Sequence, residues 1–112
     1  MLYQIHRIAK NSRATKFEIK QGKKIIGRVY LYVIKNDLHK HSYGLLEDLF
    51  VDGAARGQGL GKTLLHAAIA EAKKRKLYKL VGTSRMTRTE VHSFYEKEGF
   101  KKYGFEFRMD FE

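Results

Sequence analysis

The sequence predicts an α/β fold of the α+β kind: an antiparallel run of strands followed by β-α-β-α-β around one sheet. Three observations carry this. A hairpin signal, Gln21-Gly22-Lys23-Lys24, joins two strand-like runs near the front. A helical stripe of apolar residues fills the middle, and Phe105, Phe107, Met109 and Phe111 alternate with polar residues at the end. The chain has 112 residues, which predicts a single domain over 1–112.

Taken in order, Tyr3 to Ile8 and Phe17 to Lys20 are short candidate strands. Ile25 to Ile34 is rich in β-branched and aromatic residues, which suit a pleated, half-buried surface. Asn36 to Ser42 is polar and reads as a loop. Leu45 to Val51 is the next strand, ended by the turn pair Asp52-Gly53. From Leu60, apolar residues fall at Leu64, Leu65, Ala68, Ile69 and Ala72, one stripe at helical spacing. Lys73 to Lys76 close that helix and complement the negative end of its dipole. Tyr78 to Thr83 is a buried-strand candidate. Thr87-Arg88-Thr89-Glu90 has the form of a capping box, so a helix is expected from there to about Lys97, stopped near Gly99. Phe105 to Phe111 then reads as a strand with one buried face.

Composition narrows the function classes. Hydrophobic residues make up 43% of the chain, enough for a core. No apolar run approaches the ~20 residues of a membrane span, and no signal-peptide pattern opens the chain. Cysteine is absent, which excludes disulfides and thiolate metal sites and makes the cytoplasm the expected compartment. His39 and His41 sit in a polar loop without a third ligand in the sequence, so no metal is expected. A formal charge of +11 favours polyanionic partners, and both a phosphate-bearing cofactor and nucleic acid fit that description.

Arg56-Gly57-Gln58-Gly59-Leu60-Gly61-Lys62-Thr63 lies between the Leu45–Val51 strand and the first helix. Strand, glycine-rich turn and helix start together make a phosphate site. Glycines permit close backbone approach, and the helix's first N–H groups and dipole point at the anion. Two familiar patterns fail by one residue. A P-loop needs glycine where Arg56 stands, and the dinucleotide fingerprint needs glycine where Lys62 stands. What remains is Arg-x-x-Gly-x-Gly at Arg56, Gly59 and Gly61.

That segment resembles the acyl-CoA pyrophosphate loop of the GNAT superfamily of N-acetyltransferases. Val91-His92-Ser93-Phe94-Tyr95-Glu96-Lys97-Glu98-Gly99-Phe100 is similar to a second segment of that family, Phe-Tyr-Glu-Lys-x-Gly-Phe, and follows in the family's order. The resemblance implies a GNAT-like mixed, mostly antiparallel sheet of about six to seven strands with two main helices. It also implies a V-shaped splay between the central strands, where acyl-CoA lies. It departs from the family at the front. Only about eight residues, Ala9 to Lys16, separate the first two candidate strands, too few for the usual helices over the acceptor. An open acceptor side, or one completed by a second subunit in a homodimer, is the expected consequence.

The resemblance implies direct transfer of acetyl from acetyl-CoA to a primary amine. Without cysteine, an acetyl-cysteine intermediate is excluded. Tyr95 matches the family tyrosine that protonates the departing sulfur; the alternative is a helix aromatic packed on the sheet, a role that Phe94 fits better. Glu47, on the strand before the turn, is the candidate base, with His92 and Asp48 as alternatives. Glu47 and Asp48 are adjacent, so in a regular strand only one faces the cleft. Backbone at Leu49, Phe50 and Val51 is expected to pair with the pantetheine arm, and Arg56, Gly57, Gln58, Gly59, Leu60, Gly61 and Lys62 to hold the pyrophosphate. The family's asparagine and alanine on the second helix are Arg88 and Val91 here, so Arg88 is expected at a CoA phosphate or an acidic substrate instead. The expected partners are acetyl-CoA and an amine, rather than a membrane or nucleic acid. The rival readings are a basic nucleic-acid-binding domain and a GNAT-like module that binds acyl-CoA without catalysis.

Overall fold

The computed structural model describes residues 2–112 and divides into two compact units, Met1–Gly82 and Thr83–Glu112. In the first, β1 (Arg13–Gln21), β2 (Lys24–Ile34), β3 (Tyr43–Val51) and β4 (Leu80–Gly82) form a sheet in the order β1-β2-β3-β4. The first two pairings are antiparallel and the last is parallel. Helix α1 (Leu60–Lys74) links β3 to β4, the crossover that a parallel pair requires.

The β1–β2 hairpin forms where the sequence places it. Gln21 pairs with Lys24 around Gly22-Lys23, and Gly22 takes φ +62°. A left-handed residue at the first central position matches the twist of the flanking strands. On β2, Val29 and Leu31 are fully buried under α1, while Tyr30 and Tyr32 lie half-buried on the other face. The α1 stripe supplies Leu64, Leu65, Ala68 and Ala72 to this core, with Leu46 from β3 and Ala55 from a 3₁₀ turn, Gly53–Ala55. Gly44 makes room for it: a side chain there would meet Leu80 at 2.8 Å and Leu31 and Leu77 at 3.0 Å.

The second unit contains α2 (Thr89–Lys97). Its C-terminus is a complete Schellman motif. Phe100 N–H donates to Tyr95 O, Gly99 N–H donates to Glu96 O, both at 3.1 Å, and Gly99 takes φ +97°. The Phe100 and Tyr95 rings meet at 5.1 Å, the apolar contact that accompanies this motif.

Four sequence-based expectations are corrected. Tyr3–Ile8 is not a strand; residues 2–12 are irregular and exposed. Phe105–Phe111 is not a strand either, with Phe105, Phe107, Met109 and Phe111 between 76% and 93% exposed. Alternation specifies which face of a strand is apolar, but a strand exists only where another backbone pairs with it, and neither segment pairs among the described residues. The sheet therefore has four strands there instead of six or seven. The capping box does not form: Arg88, not Thr87, is the N-cap of α2, and no side chain caps it.

Candidate functional site

The site begins with an irregularity in β3. Arg28 of β2 pairs with Phe50 and Tyr30 pairs with Glu47, so Val29 faces two residues, Asp48 and Leu49. This is a β-bulge, and its first residue, Asp48, takes φ +55°. Asp is among the few non-glycine residues that accept this conformation. The bulge resets the alternation. Leu46 points to the α1 core before it, and Val51 pairs opposite buried Gly27 after it.

The left-handed Asp48 breaks the regular strand geometry from which Glu47 and Asp48 were expected to face opposite sides. Both line one open cavity of about 330 Å³, with Ser12, Tyr32, Ile34 and Leu45. Strict alternation holds only for unbroken strand geometry. Sequence alone carried no signal for the left-handed turn at Asp48, nor for Ser12 and Tyr32 as neighbours of these carboxylates.

Beside the bulge the sheet opens. β3 pairs with β4 at Gly44, Leu45 and Leu46 only, and β3 continues to Val51 beyond the last pair. Glu47 to Val51 therefore run past the end of the three-residue β4 ladder. Phe50 lies here, half-exposed, with the Arg28 guanidinium 4.8 Å from its ring centre.

The glycine turn follows. Asp52 N–H donates to Ile26 O at 2.8 Å, fastening the strand end. Asp52 Oδ2 lies 3.0 Å from Lys24 Nζ, and this partner holds its carboxyl below the ordinary value, helped by the N–H groups of Ala54 and Gly53. Arg56 Nε donates to Val51 O at 3.1 Å, tying the turn to the strand it leaves. Gly57 and Gly59 take φ +83° and +74°, and Gly59 is the N-cap of α1. Both require glycine for conformation rather than space, since a Cβ on either meets nothing within 4 Å. The volume in front of the turn is open to an approaching group. The first intrahelical bond runs from Thr63 N–H to Gly59 O at 3.0 Å, and Thr63 Oγ1 donates to the same carbonyl at 3.0 Å. The N–H groups of Leu60 and Gly61 precede it at the positive end of the helix. Exposed Arg56, Gln58 and Lys62 flank the turn. Open glycines, a helix N-terminus and two cations fit a pyrophosphate.

In the second unit, Tyr95 is half-buried on α2, its ring 5.7 Å from Phe94 and 5.1 Å from Phe100, edge to face. His92 Nε2–H donates to Arg85 O at 2.9 Å, which commits one ring nitrogen to bracing the segment before the helix. Exposed Arg88 reaches Glu90, Nε to Oε1 at 3.3 Å, while its carbonyl accepts from Val91 and His92. Among the described residues no three histidine, aspartate or glutamate side chains converge as metal ligands.

A bulged central strand, a short parallel partner and a glycine turn opening a helix are the features of an α+β fold with one mixed sheet. The sequence profile of the Acetyltransferase (GNAT) family matches residues 2–100, and the chain belongs to that family. No curated protein matches it by sequence. Among solved structures, it is similar to a protein described as an acetyltransferase from Agrobacterium tumefaciens, at 29% identity and a TM-score of 0.77, covering 86% of this chain and 69% of that one. It is similar to an acetyltransferase of Trypanosoma brucei at 27% identity and a TM-score of 0.77, covering 88% and 68%. It is also similar to glucosamine-6-phosphate N-acetyltransferase from Arabidopsis thaliana at 26% identity and a TM-score of 0.75, covering 85% and 63%. The chain thus spans about two thirds of the length of these structures.

Proposed function

We propose that this protein is an N-acetyltransferase that moves an acetyl group from acetyl-CoA to a primary amine by direct transfer in a ternary complex. The observation that carries the reading is the run from the Asp48 bulge to the left-handed glycines at the N-terminus of α1. The pyrophosphate of acetyl-CoA sits against Arg56 to Lys62. The pantetheine arm runs along Leu49, Phe50 and Val51, pairing with backbone that β4 leaves uncovered, as an added strand would. Arg88 takes a further phosphate.

The amine enters the cavity at Glu47 and Asp48. Glu47 removes its proton, and the neutral amine attacks the thioester carbonyl. The tetrahedral intermediate collapses by breaking the carbon–sulfur bond. Tyr95 gives its phenolic proton to the leaving thiolate, and the proton shed by the acylated nitrogen returns the Tyr95 phenolate to its neutral form. The products are the acetylated amine and CoA. The acting form is a cytoplasmic homodimer in which the second copy covers the exposed Phe105, Phe107, Met109 and Phe111 side chains. Light scattering at the 13.1 kDa monomer mass would contradict that assembly.

The test is CoA release from acetyl-CoA across a panel of amines, with Tyr95→Phe alongside. That variant keeps the ring and removes the phenolic hydroxyl that carries the proton. Turnover is expected to fall about 10²- to 10⁴-fold with acetyl-CoA affinity nearly unchanged. Unchanged turnover would leave Tyr95 a packing residue. Binding of acetyl-CoA without CoA release for any amine would favour the non-catalytic module.

A further inference from the structure

The end of the sheet away from the glycine turn carries an aromatic and cationic corner that acetyl transfer does not use. Three segments meet there: the loop 35–42, the C-terminus of α1 and the link into β4. Tyr78 N–H donates to Ser42 O at 3.0 Å and Gly44 N–H to Lys79 O at 2.9 Å, so the segments are joined through backbone. The Tyr78 ring lies at the centre, 42% exposed. His39 lies over it at 4.7 Å with the planes tilted by 32°, and Tyr43 meets it at 6.1 Å, edge on. Lys79 Nζ stands 4.8 Å from the Tyr43 ring centre and 5.4 Å from that of Tyr78.

The corner is held in shape. Lys35 Nζ donates to the carbonyls of His39 and Lys40 at 2.6 and 2.7 Å, and Leu38 N–H donates to Asn36 Oδ1 at 2.9 Å. Its charge is one-sided. Lys40, Lys73, Lys74, Lys76 and Lys79 are all exposed. The two acids in these segments already have partners: Asp37 is 3.0 Å from Lys10, and Glu71 is 2.6 Å from Arg75. Lysines at a helix C-terminus commonly do no more than offset its dipole. That role does not account for three adjoining rings, with His39 and Tyr78 exposed and Tyr43 half-buried, and a further lysine laid across two of them.

We propose that this corner binds single-stranded nucleic acid, with a base stacked on the Tyr78–His39–Tyr43 rings and phosphates on the surrounding lysines. Stacking needs an accessible aromatic face, and a duplex hides its bases, so the rings favour a single strand while the lysines alone would accept any polyanion. The surface lies at the other end of β3 from the glycine turn, and its inner edge, Tyr43, pairs with Ile34 of the proposed amine cavity.

The test is fluorescence anisotropy with labelled oligouridylate and oligothymidylate of about a dozen nucleotides, within the site sizes such surfaces cover. A duplex of equal charge and heparin serve as competitors, and salt is varied. Tyr78→Leu keeps apolar bulk and removes the π-face. It is expected to raise Kd about 5-fold or more without changing the salt slope, and Tyr78→Trp to restore binding. Lys76→Ala with Lys79→Ala is expected to flatten the salt slope by roughly 1.4. Lys20→Ala with Lys23→Ala, on the distant hairpin, is expected to have little effect on Kd. The two oligonucleotides decide between RNA and DNA as the natural ligand. Equal binding of duplex or heparin, indifference to Tyr78→Leu, an equal loss in the hairpin variant, or displacement of the oligonucleotide by acetyl-CoA would each overturn the proposal.

Discussion

Helix α1 buries Leu64, Leu65, Ala68 and Ala72, whereas α2 buries no residue fully. Yet the two helices stop in the same way. At α1, Leu77 N–H donates to Ala72 O at 3.1 Å and Lys76 N–H donates to Lys73 O at 3.0 Å, the same Schellman pair that closes α2 at Gly99 and Phe100. Helix ends are thus set by local hydrogen bonding in both units, while helix stability is not. A helix of nine residues is too short to persist on propensity alone, so α2 rests on its cap and on the Phe94–Tyr95–Phe100 rings. The helix proposed to supply the proton is therefore the less firmly held of the two. The one that starts at the glycine turn is anchored in the core.

The largest effect that could break this contrast is in the helix cores. Leu65→Ala removes a fully buried side chain and is expected to cost about 2–5 kcal/mol of unfolding free energy by urea denaturation. Val91→Ala, half-buried on α2, is expected to cost about 1 kcal/mol or less. Equal losses would mean that α2 is core-anchored as well.

The shared helix ends give an effect of middle size and opposite signs. Lys76 takes φ +56° where the motif favours glycine, and Gly99 takes φ +97°. The left-handed conformation costs a side-chain-bearing residue roughly 1–2 kcal/mol. Gly99→Ala is expected to lower the melting temperature of α2 helicity, and Lys76→Gly to raise that of the whole chain. A loss of stability in Lys76→Gly would show that the lysine side chain contributes more than its backbone costs.

The smallest effect concerns Asp52, which links the hairpin to the glycine turn through Lys24. Its folded pKa is lowered, so the contribution is complete above the unfolded carboxylate value of about 3.9 and is lost as pH falls through the folded value. Asp52→Asn is expected to be less stable than the parent at neutral pH, with the gap closing on acidification below about pH 4. A gap that persists in acid would assign the effect to the turn's N–H bonds rather than to charge.

Legibility followed the range of the forces involved. The hairpin at Gly22, the α1 stripe, the turn at Gly57–Gly59 and the stop at Gly99 are local, and each was readable from a few adjacent residues. Phe105–Phe111 and Tyr3–Ile8 carry strand-like patterns, but pairing depends on a partner that the pattern does not name. Thr87 and Glu90 have capping-box spacing, but the helix starts one residue later, at an Arg88 N-cap. In the site, the glycine turn was legible because glycine at left-handed positions is a backbone requirement. The joint placement of Glu47 and Asp48 was not, because one left-handed aspartate cancels the alternation from which it was read.

The central claim is that the glycine turn binds acetyl-CoA, and thermal unfolding with and without this ligand tests it most directly. At a hundred times its dissociation constant, acetyl-CoA should stabilise the protein by about 2.7 kcal/mol. Gly59→Val, which places a branched side chain at φ +74°, should remain folded and lose that stabilisation. An unfolding transition that saturating acetyl-CoA leaves unmoved, or one that it moves equally in Gly59→Val, would contradict the account.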